Sequence, residues 1–262
     1  MSATTDDRTR ALDHLEWIAR AVAQREVAAT GGVAVLDDRT PRLWDANHVI
    51  ASASHGYDAQ ELADGCAVVS AEAGLGHRMV VIPEEAEADR LRDGFGELQW
   101  DLDRHLVMAL RREPDREPPE VEVRRLRFPA IKGPRRAMLL TEPWGGDDVA
   151  EQVLLRDRLI DERVDDRGFA AFVRRRPVAF CRLISRDGIG QVEDVATLAS
   201  HQNKGLARAV ICAAIAASRE AGHDLTIVVA DADDWPKALY ARLGFDDLTL
   251  IHRWRIALAT DS

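Results

Sequence analysis

Residues 192 to 223 read VEDVATLASHQNKGLARAVICAAIAASREAGH, and this stretch constrains the fold more than any other. An apolar run stops at a short polar segment, QNKGLA (202–207), which holds one glycine. A long Ala-rich segment with helical spacing follows, closed by Gly222. The pattern is a strand feeding a helix through a tight turn that exposes backbone. The first N–H groups of a helix lack intrahelical partners, and the helix dipole adds positive potential there. A pyrophosphate is stabilised by those groups if the backbone can approach it. Gly205 removes the Cβ that would block the approach, and Ala207 keeps the next inward position small. Asn203, Lys204 and Arg208 add donors and charge, and the helix from Leu206 is long enough to sustain the dipole.

The surrounding chain supplies the sheet such a turn needs. EPDREPPE (113–120), with prolines set among charges, is the linker candidate and divides the chain into 1–118 and 119–262. After it, VEVRRLRF (121–128) alternates as a strand. Residues 147–164 have helical spacing, with Asp147 or Asp148 as N-cap. GFAAFVRR and PVAFCRLI form a hairpin around Arg174–Pro177, and GQVEDVATL (190–198) is the next strand. HDLTIVVA (223–230) reads as a buried strand. A short helix over DWPKALYARLG, capped by Asp233 or Asp234, and a last strand over 245–258 complete the series. The order β, α, β, β, β, α, β, α, β predicts a mixed α/β sheet.

The N-terminal half carries the same landmarks at an offset of 146 residues. His55 falls on His201, Cys66 on Cys212, and Gly76-His77 on Gly222-His223. MVVI (79–82) falls on LTIV (225–228), and LRDGF (91–95) matches ARLGF (241–245) after a four-residue gap. A duplicated fold is expected. Opposite QNKGLA the first copy has GYDAQE (56–61), where two acids, Asp58 and Glu61, enter a place that should face phosphate. Only the second copy should still bind an anion there.

Two motifs together resemble the GNAT superfamily, the GCN5-related N-acetyltransferases. Their acyl-CoA pyrophosphate loop, Gln/Arg-x-x-Gly-x-Gly/Ala after the fourth strand, is matched by Gln202, Gly205 and Ala207. Their later helix motif is matched by Leu239, Tyr240, Leu243, Gly244 and Phe245, with Asp233 where Asn is usual and Pro236 in place of a small residue. The resemblance covers roughly residues 120 to 258, and the N-terminal half resembles a degenerate repeat of the kind tandem members contain. It implies the acyl-CoA N-acyltransferase fold in two tandem copies, and transfer of acetyl from acetyl-CoA to a primary amine by direct attack.

For the site, the resemblance implies that acetyl-CoA lies against Gln202, Asn203, Lys204, Gly205, Leu206, Ala207 and Arg208. Thr197 and Leu198 would offer backbone groups to its pantetheine arm, with Asp233 nearby. Tyr240 is the implied proton donor to the departing thiolate. A protonated amine needs a base, and strand 190–198 offers Glu193 first and Asp194 second. In a regular strand these two point to opposite faces, so only one would face the cleft, while the resemblance implies that a bulge is common on this strand. The acceptor is expected to be a small-molecule or peptide amine, and the competing reading is a catalytically silent acyl-CoA-binding or regulatory protein.

Composition narrows the remaining classes. The net charge is −10 and no basic cluster stands apart from acids, so no nucleic-acid partner is expected. RRLR (124–127) and RRR (174–176) read as solvated strand or turn edges. Cys66, Cys181 and Cys212 lack metal or disulfide spacing, so no metal site is expected. No apolar run reaches the ~18 residues of a membrane span and no signal segment follows Met1, which predicts a cytoplasmic protein, monomeric or homodimeric. The excess of Arg over Lys suggests a GC-rich bacterial genome.

Overall fold

A computed structural model describes residues 2–258, with side chains from Asp6 onward. The chain forms two compact units, each assembled from discontinuous segments. The N-terminal unit comprises Leu15–Leu106, Asp231–Asp233 and the chain from Thr249. The C-terminal unit comprises the chain up to His14, Val107–Ala230 and Asp234–Leu248. The proline-rich segment 113–120 lies inside the C-terminal unit and is anchored there. Glu113 pairs with Arg219 at 2.8 Å and Asp115 with Arg208 at 2.7 Å.

In the N-terminal unit, helix α1 (Ser2–Val22) enters from the other unit and is followed by β1 (Arg25–Ala29), β2 (Gly32–Leu36) and β3 (His48–Ile50). Helix α2 (Ala59–Glu72), β4 (His77–Ile82), α3 (Glu85–Glu97) and β5 (Asp101–Leu110) follow. β1–β2 and β2–β3 are antiparallel, and β3–β4 is parallel. The second half of the chain's last strand, described below, pairs antiparallel with β4 from His252↔Ile82 to Ala257↔His77. Helices α2 and α3 bury Leu62, Cys66, Leu91 and Phe95 against Val80, Ile82 and Trp254. Phe95 stacks on Trp254 at 5.1 Å. Burying a side chain of that size contributes roughly 2–3 kcal/mol.

The C-terminal unit runs β6 (Glu122–Leu126), α4 (Phe128–Leu139), α5 (Asp147–Arg163), β7 (Asp165–Val173), β8 (Arg176–Arg186) and β9 (Ile189–Thr197). Then come α6 (Leu206–Glu220), β10 (Leu225–Asp231), α7 (Pro236–Arg242) and β11 (Phe245–Ala257). The strands lie in the order β10-β9-β8-β7-β6, antiparallel except for β9–β10. Helix α6 packs across β8 and β9 with Leu206, Val210, Ile211 and Ile215 buried.

Helix α4 has no counterpart among the sequence expectations. Pro129, Gly133 and Pro134 break its helical signal, yet Pro129 sits in the first turn where no N–H is needed, and Phe128, Ile131, Met138 and Leu139 bury one face. The N-cap of α5 is Gly146, which places Asp147 and Asp148 in the first turn. The N-cap of α7 is Trp235, whose N–H donates to Asp234 Oδ1 at 2.7 Å.

The element order α1-β1-β2-β3-α2-β4-α3-β5 recurs as α5-β7-β8-β9-α6-β10-α7-β11. The pairing senses recur with it: two antiparallel contacts, then one parallel. Cys66 and Cys212 occupy the matching helices α2 and α6. MVVI and LTIV occupy the matching strands β4 and β10.

Candidate active site

Strands β9 and β10 pair only from Leu225↔Ile189 to Val228↔Val192. β9 then continues through Glu193–Thr197 without a β10 partner, so the sheet opens at its carboxyl end, where open α/β sheets take ligands. β9 also carries a bulge. Phe180 faces Ala196 and Arg182 faces Glu193, so Asp194 and Val195 together oppose Cys181. Asp194 has φ 53°, a left-handed conformation uncommon for a residue with a Cβ. The regular alternation that would set Glu193 and Asp194 on opposite faces is therefore absent.

The turn after β9 is built for close backbone approach. Asn203 and Gly205 are left-handed, with φ 60° and 76°, and Gly205 is the N-cap of α6. No side chain caps this helix, so its first-turn N–H groups point to the open end without an acceptor side chain. A Cβ on Gly205 would lie 3.2 Å from Pro119 Cγ, so the proline-rich segment also keeps this position small. The matching helix α2 is closed. Asp58 accepts from the Glu61 N–H at 2.8 Å and Glu61 accepts from the Asp58 N–H at 2.9 Å, a complete capping box. The first copy fills with its own carboxylates the place that the second leaves open.

Not every residue of the turn is available to an anion. Arg208 is a correction to expectation. Its side chain is 3% exposed and bonds Asp115 Oδ1 at 2.7 Å and the Arg116 carbonyl at 3.1 Å, so it anchors segment 113–120. Lys204 Nζ donates to the Ser200 carbonyl at 2.9 Å, and Gln202 Nε2 to the Thr197 carbonyl at 3.4 Å. Both are exposed at the turn. Leu206 is buried and Ala207 half-buried, so these two offer backbone only. The Leu198 N–H, expected to face a pantetheine arm, is already donated to the Val178 carbonyl at 2.9 Å. Thr197 Oγ1 is buried with no protein partner among the described residues. Asp233 is exposed, and Arg104 Nη2 holds its Oδ1 at 2.6 Å.

Tyr240 is 7% exposed on α7 and meets Phe245 edge-on at 6.3 Å. Burial, and then the nearby charge of Glu193, raise its phenol well above the ordinary value, so it stays protonated. Glu193 is half-buried, and Gln191 Nε2 donates to its Oε2. These two residues share one electrostatic neighbourhood.

Asp194 does different work. Arg135 Nη2 lies 2.7 Å and Arg182 Nε 3.3 Å from its carboxylate. Burial pushes this carboxyl up, but the two guanidinium groups more than offset it and hold it below the usual carboxylate range. A carboxylate so held is a weak proton acceptor. The same arginines reach two further acids: Arg135–Asp157 is 3.1 Å, Arg182–Asp157 3.8 Å and Arg182–Asp166 3.8 Å. The network ties α4, α5, β7 and β8 to the β9 bulge. Sequence reasoning found only Asp194 of its members. A signal existed in Arg182, a charge inside the apolar run PVAFCRLI, but nothing in the chain paired it with acids from three other elements.

Burial, with the charge of Asp194, pushes Asp157 up to about 6. Burial likewise pushes Asp166 up to about 6, against the pull of Arg182. A carboxyl raised on folding stabilises most below its unfolded pKa and loses that contribution as pH rises through the folded value. For Asp166 the loss between pH 5 and pH 7 is on the order of 1 kcal/mol. Asp166→Asn cannot titrate. Wild type should therefore gain on the order of 1 kcal/mol over this variant on going from pH 7 to pH 5, read by urea unfolding. Parallel pH profiles would contradict the assignment.

Trp235, the N-cap of α7, is 67% exposed. A cavity of about 310 Å³ between α4 and α5 is lined by Phe128, Leu154, Leu155 and Arg158 among others, and contains none of the expected site residues. Among the described residues no helix is long and apolar enough to cross a membrane, and no cluster of His, Cys, Asp or Glu has metal-holding geometry.

Comparison with known proteins agrees with the fold. Residues 169–255, which run from within β7 through most of β11, match the family model described as FR47-like protein. A conserved protein of unknown function from Staphylococcus epidermidis superposes with TM-score 0.68 at 16% identity, covering 90% of this chain and 94% of that one. A GCN5-related N-acetyltransferase from Kribbella flavida superposes with TM-score 0.61 at 19% identity, covering 94% of each. A tandem GNAT protein from the clavulanic acid biosynthesis pathway superposes with TM-score 0.55 at 10% identity, covering 74% of this chain and 68% of that one. No curated protein matches the chain. At these identities the likeness is one of fold.

Proposed function

We propose that this chain, which has the fold of the GCN5-related N-acetyltransferases, transfers an acetyl group from acetyl-CoA to a primary amine. One observation carries the reading. The open N-terminus of α6, with left-handed Gly205, stands after the unpaired end of β9, whereas the matching α2 is sealed by Asp58 and Glu61. Acetyl-CoA supplies the activated acyl group, and the pyrophosphate rests on the first-turn N–H groups of α6. The amine attacks the thioester carbonyl directly. Glu193, held by Gln191, takes the amine's proton, and Tyr240, kept protonated by burial, returns one to the leaving thiolate. Asp194 and the two arginines hold the bulge that positions Glu193. The net charge of −10 favours approach of cationic acceptors.

The second reading, a silent acyl-CoA binder, draws on Asp233, which stands where the superfamily commonly has Asn and is tied to Arg104. Thiol release from acetyl-CoA on adding polyamines, aminoglycosides or peptide amines separates the two. Amine-dependent release supports the transferase. Tight binding without release from any amine supports the silent binder.

A further inference from the structure

The turn between β7 and β8 is made of Arg174 and Arg175, with φ 48° and 65°, and Arg176 opens β8 opposite Val173. Two central residues with positive φ are the mark of a type I′ hairpin, which strongly favours Asn-Gly or Asp-Gly. The next hairpin of the same sheet obeys that preference with Asp187 and Gly188, φ 48° and 78°. The β7–β8 turn instead carries two long side chains in a conformation that penalises any Cβ. These arginines also differ from their neighbours in charge. Arg167, Arg182 and Arg186, on the same two strands, all pair with aspartates. Arg174, Arg175 and Arg176 are exposed, with no acidic partner among the described residues.

Their place is set by the register. Ala179 faces Thr197 and the Leu198 N–H bonds Val178, so the start of β8 lies beside the chain leading into the 202–205 turn. On the other side, Glu122 faces Phe172, and Pro119 just before it packs on Gly205. The arginine tip and the Gly205 turn therefore share one end of the sheet.

We propose that Arg174, Arg175 and Arg176 bind the 3′-phosphate of coenzyme A. This rests on the acyl-CoA reading of the Gly205 turn. The 3′-phosphate is a compact dianion outside the pyrophosphate, and guanidinium forks match phosphate oxygens in geometry and charge. A strained turn that keeps unpaired arginines then has a purpose that a merely solvated turn lacks.

The test is calorimetric titration of wild type and of Arg174→Asn/Arg175→Gly/Arg176→Thr with coenzyme A and with 3′-dephospho-coenzyme A. The Asn-Gly pair suits the turn, so the variant should unfold at or above the wild-type temperature. Wild type should prefer coenzyme A by roughly tenfold or more, and the variant should bind both ligands alike. A variant that keeps the preference, or a wild type without one, overturns the inference and leaves the acyl-CoA reading standing. A wild type that binds neither ligand overturns the acyl-CoA reading and the inference with it.

Discussion

Arg182→Met is expected to destabilise the protein by about 3–5 kcal/mol at pH 7, the usual effect of removing one partner from a buried ion network. Arg182 is 3% exposed and stands among Asp157, Asp166 and Asp194. Methionine keeps much of the volume, so packing changes little and the loss is electrostatic. Without Arg182, buried Asp157 and half-buried Asp194 are left with Arg135 alone, and buried Asp166 loses the cation beside it. A domain with about 5–15 kcal/mol of stability would lose a large part of it. Asp157 and Asp166 take up protons near pH 6, so the loss should shrink at pH 5. Urea unfolding at the two pH values reads both effects. A loss below about 1 kcal/mol at pH 7 would mean that the network is solvated rather than structural.

Tyr240→Phe is expected to lower kcat about 100-fold or more, the usual contribution of a positioned proton donor. The ring and its edge contact with Phe245 survive the change, so folding and acetyl-CoA affinity should stay near wild type. A residue serving only as a core aromatic would leave kcat unchanged, so the kinetic result decides between the two roles. Glu193→Gln should act differently. Its rate should recover at high pH, because an amine with a pKa near ~10 then arrives unprotonated and no longer needs the base.

The strand–turn–helix unit was legible because it is local. Period-2 and helical spacing, one glycine and one closing glycine fix β9, the turn and α6 within a single stretch of chain. The repeat was legible from landmarks, and the acids Asp58 and Glu61 announced a closed first copy. What the sequence did not reveal depends on contacts between distant residues. Helix α4 hides behind its prolines, because burial of Phe128, Ile131 and Leu139 outweighs propensity there. Arg208 reads as a phosphate ligand by position, yet Asp115, far back in the chain, takes it. The bulge at Asp194 is held by two arginines from α4 and β8, and neighbouring residues do not identify those partners.

The most direct measurement is a calorimetric titration of wild type and Gly205→Glu with acetyl-CoA. Glutamate at this position places a negative charge at the open end of α6 and a Cβ 3.2 Å from Pro119 Cγ, so circular dichroism should accompany it to confirm the fold. The expected result is one binding site per wild-type chain and none in the folded variant. Binding that survives in Gly205→Glu, a second site of equal strength, or no binding by wild type would contradict the assignment of the α6 turn as the sole acyl-CoA site.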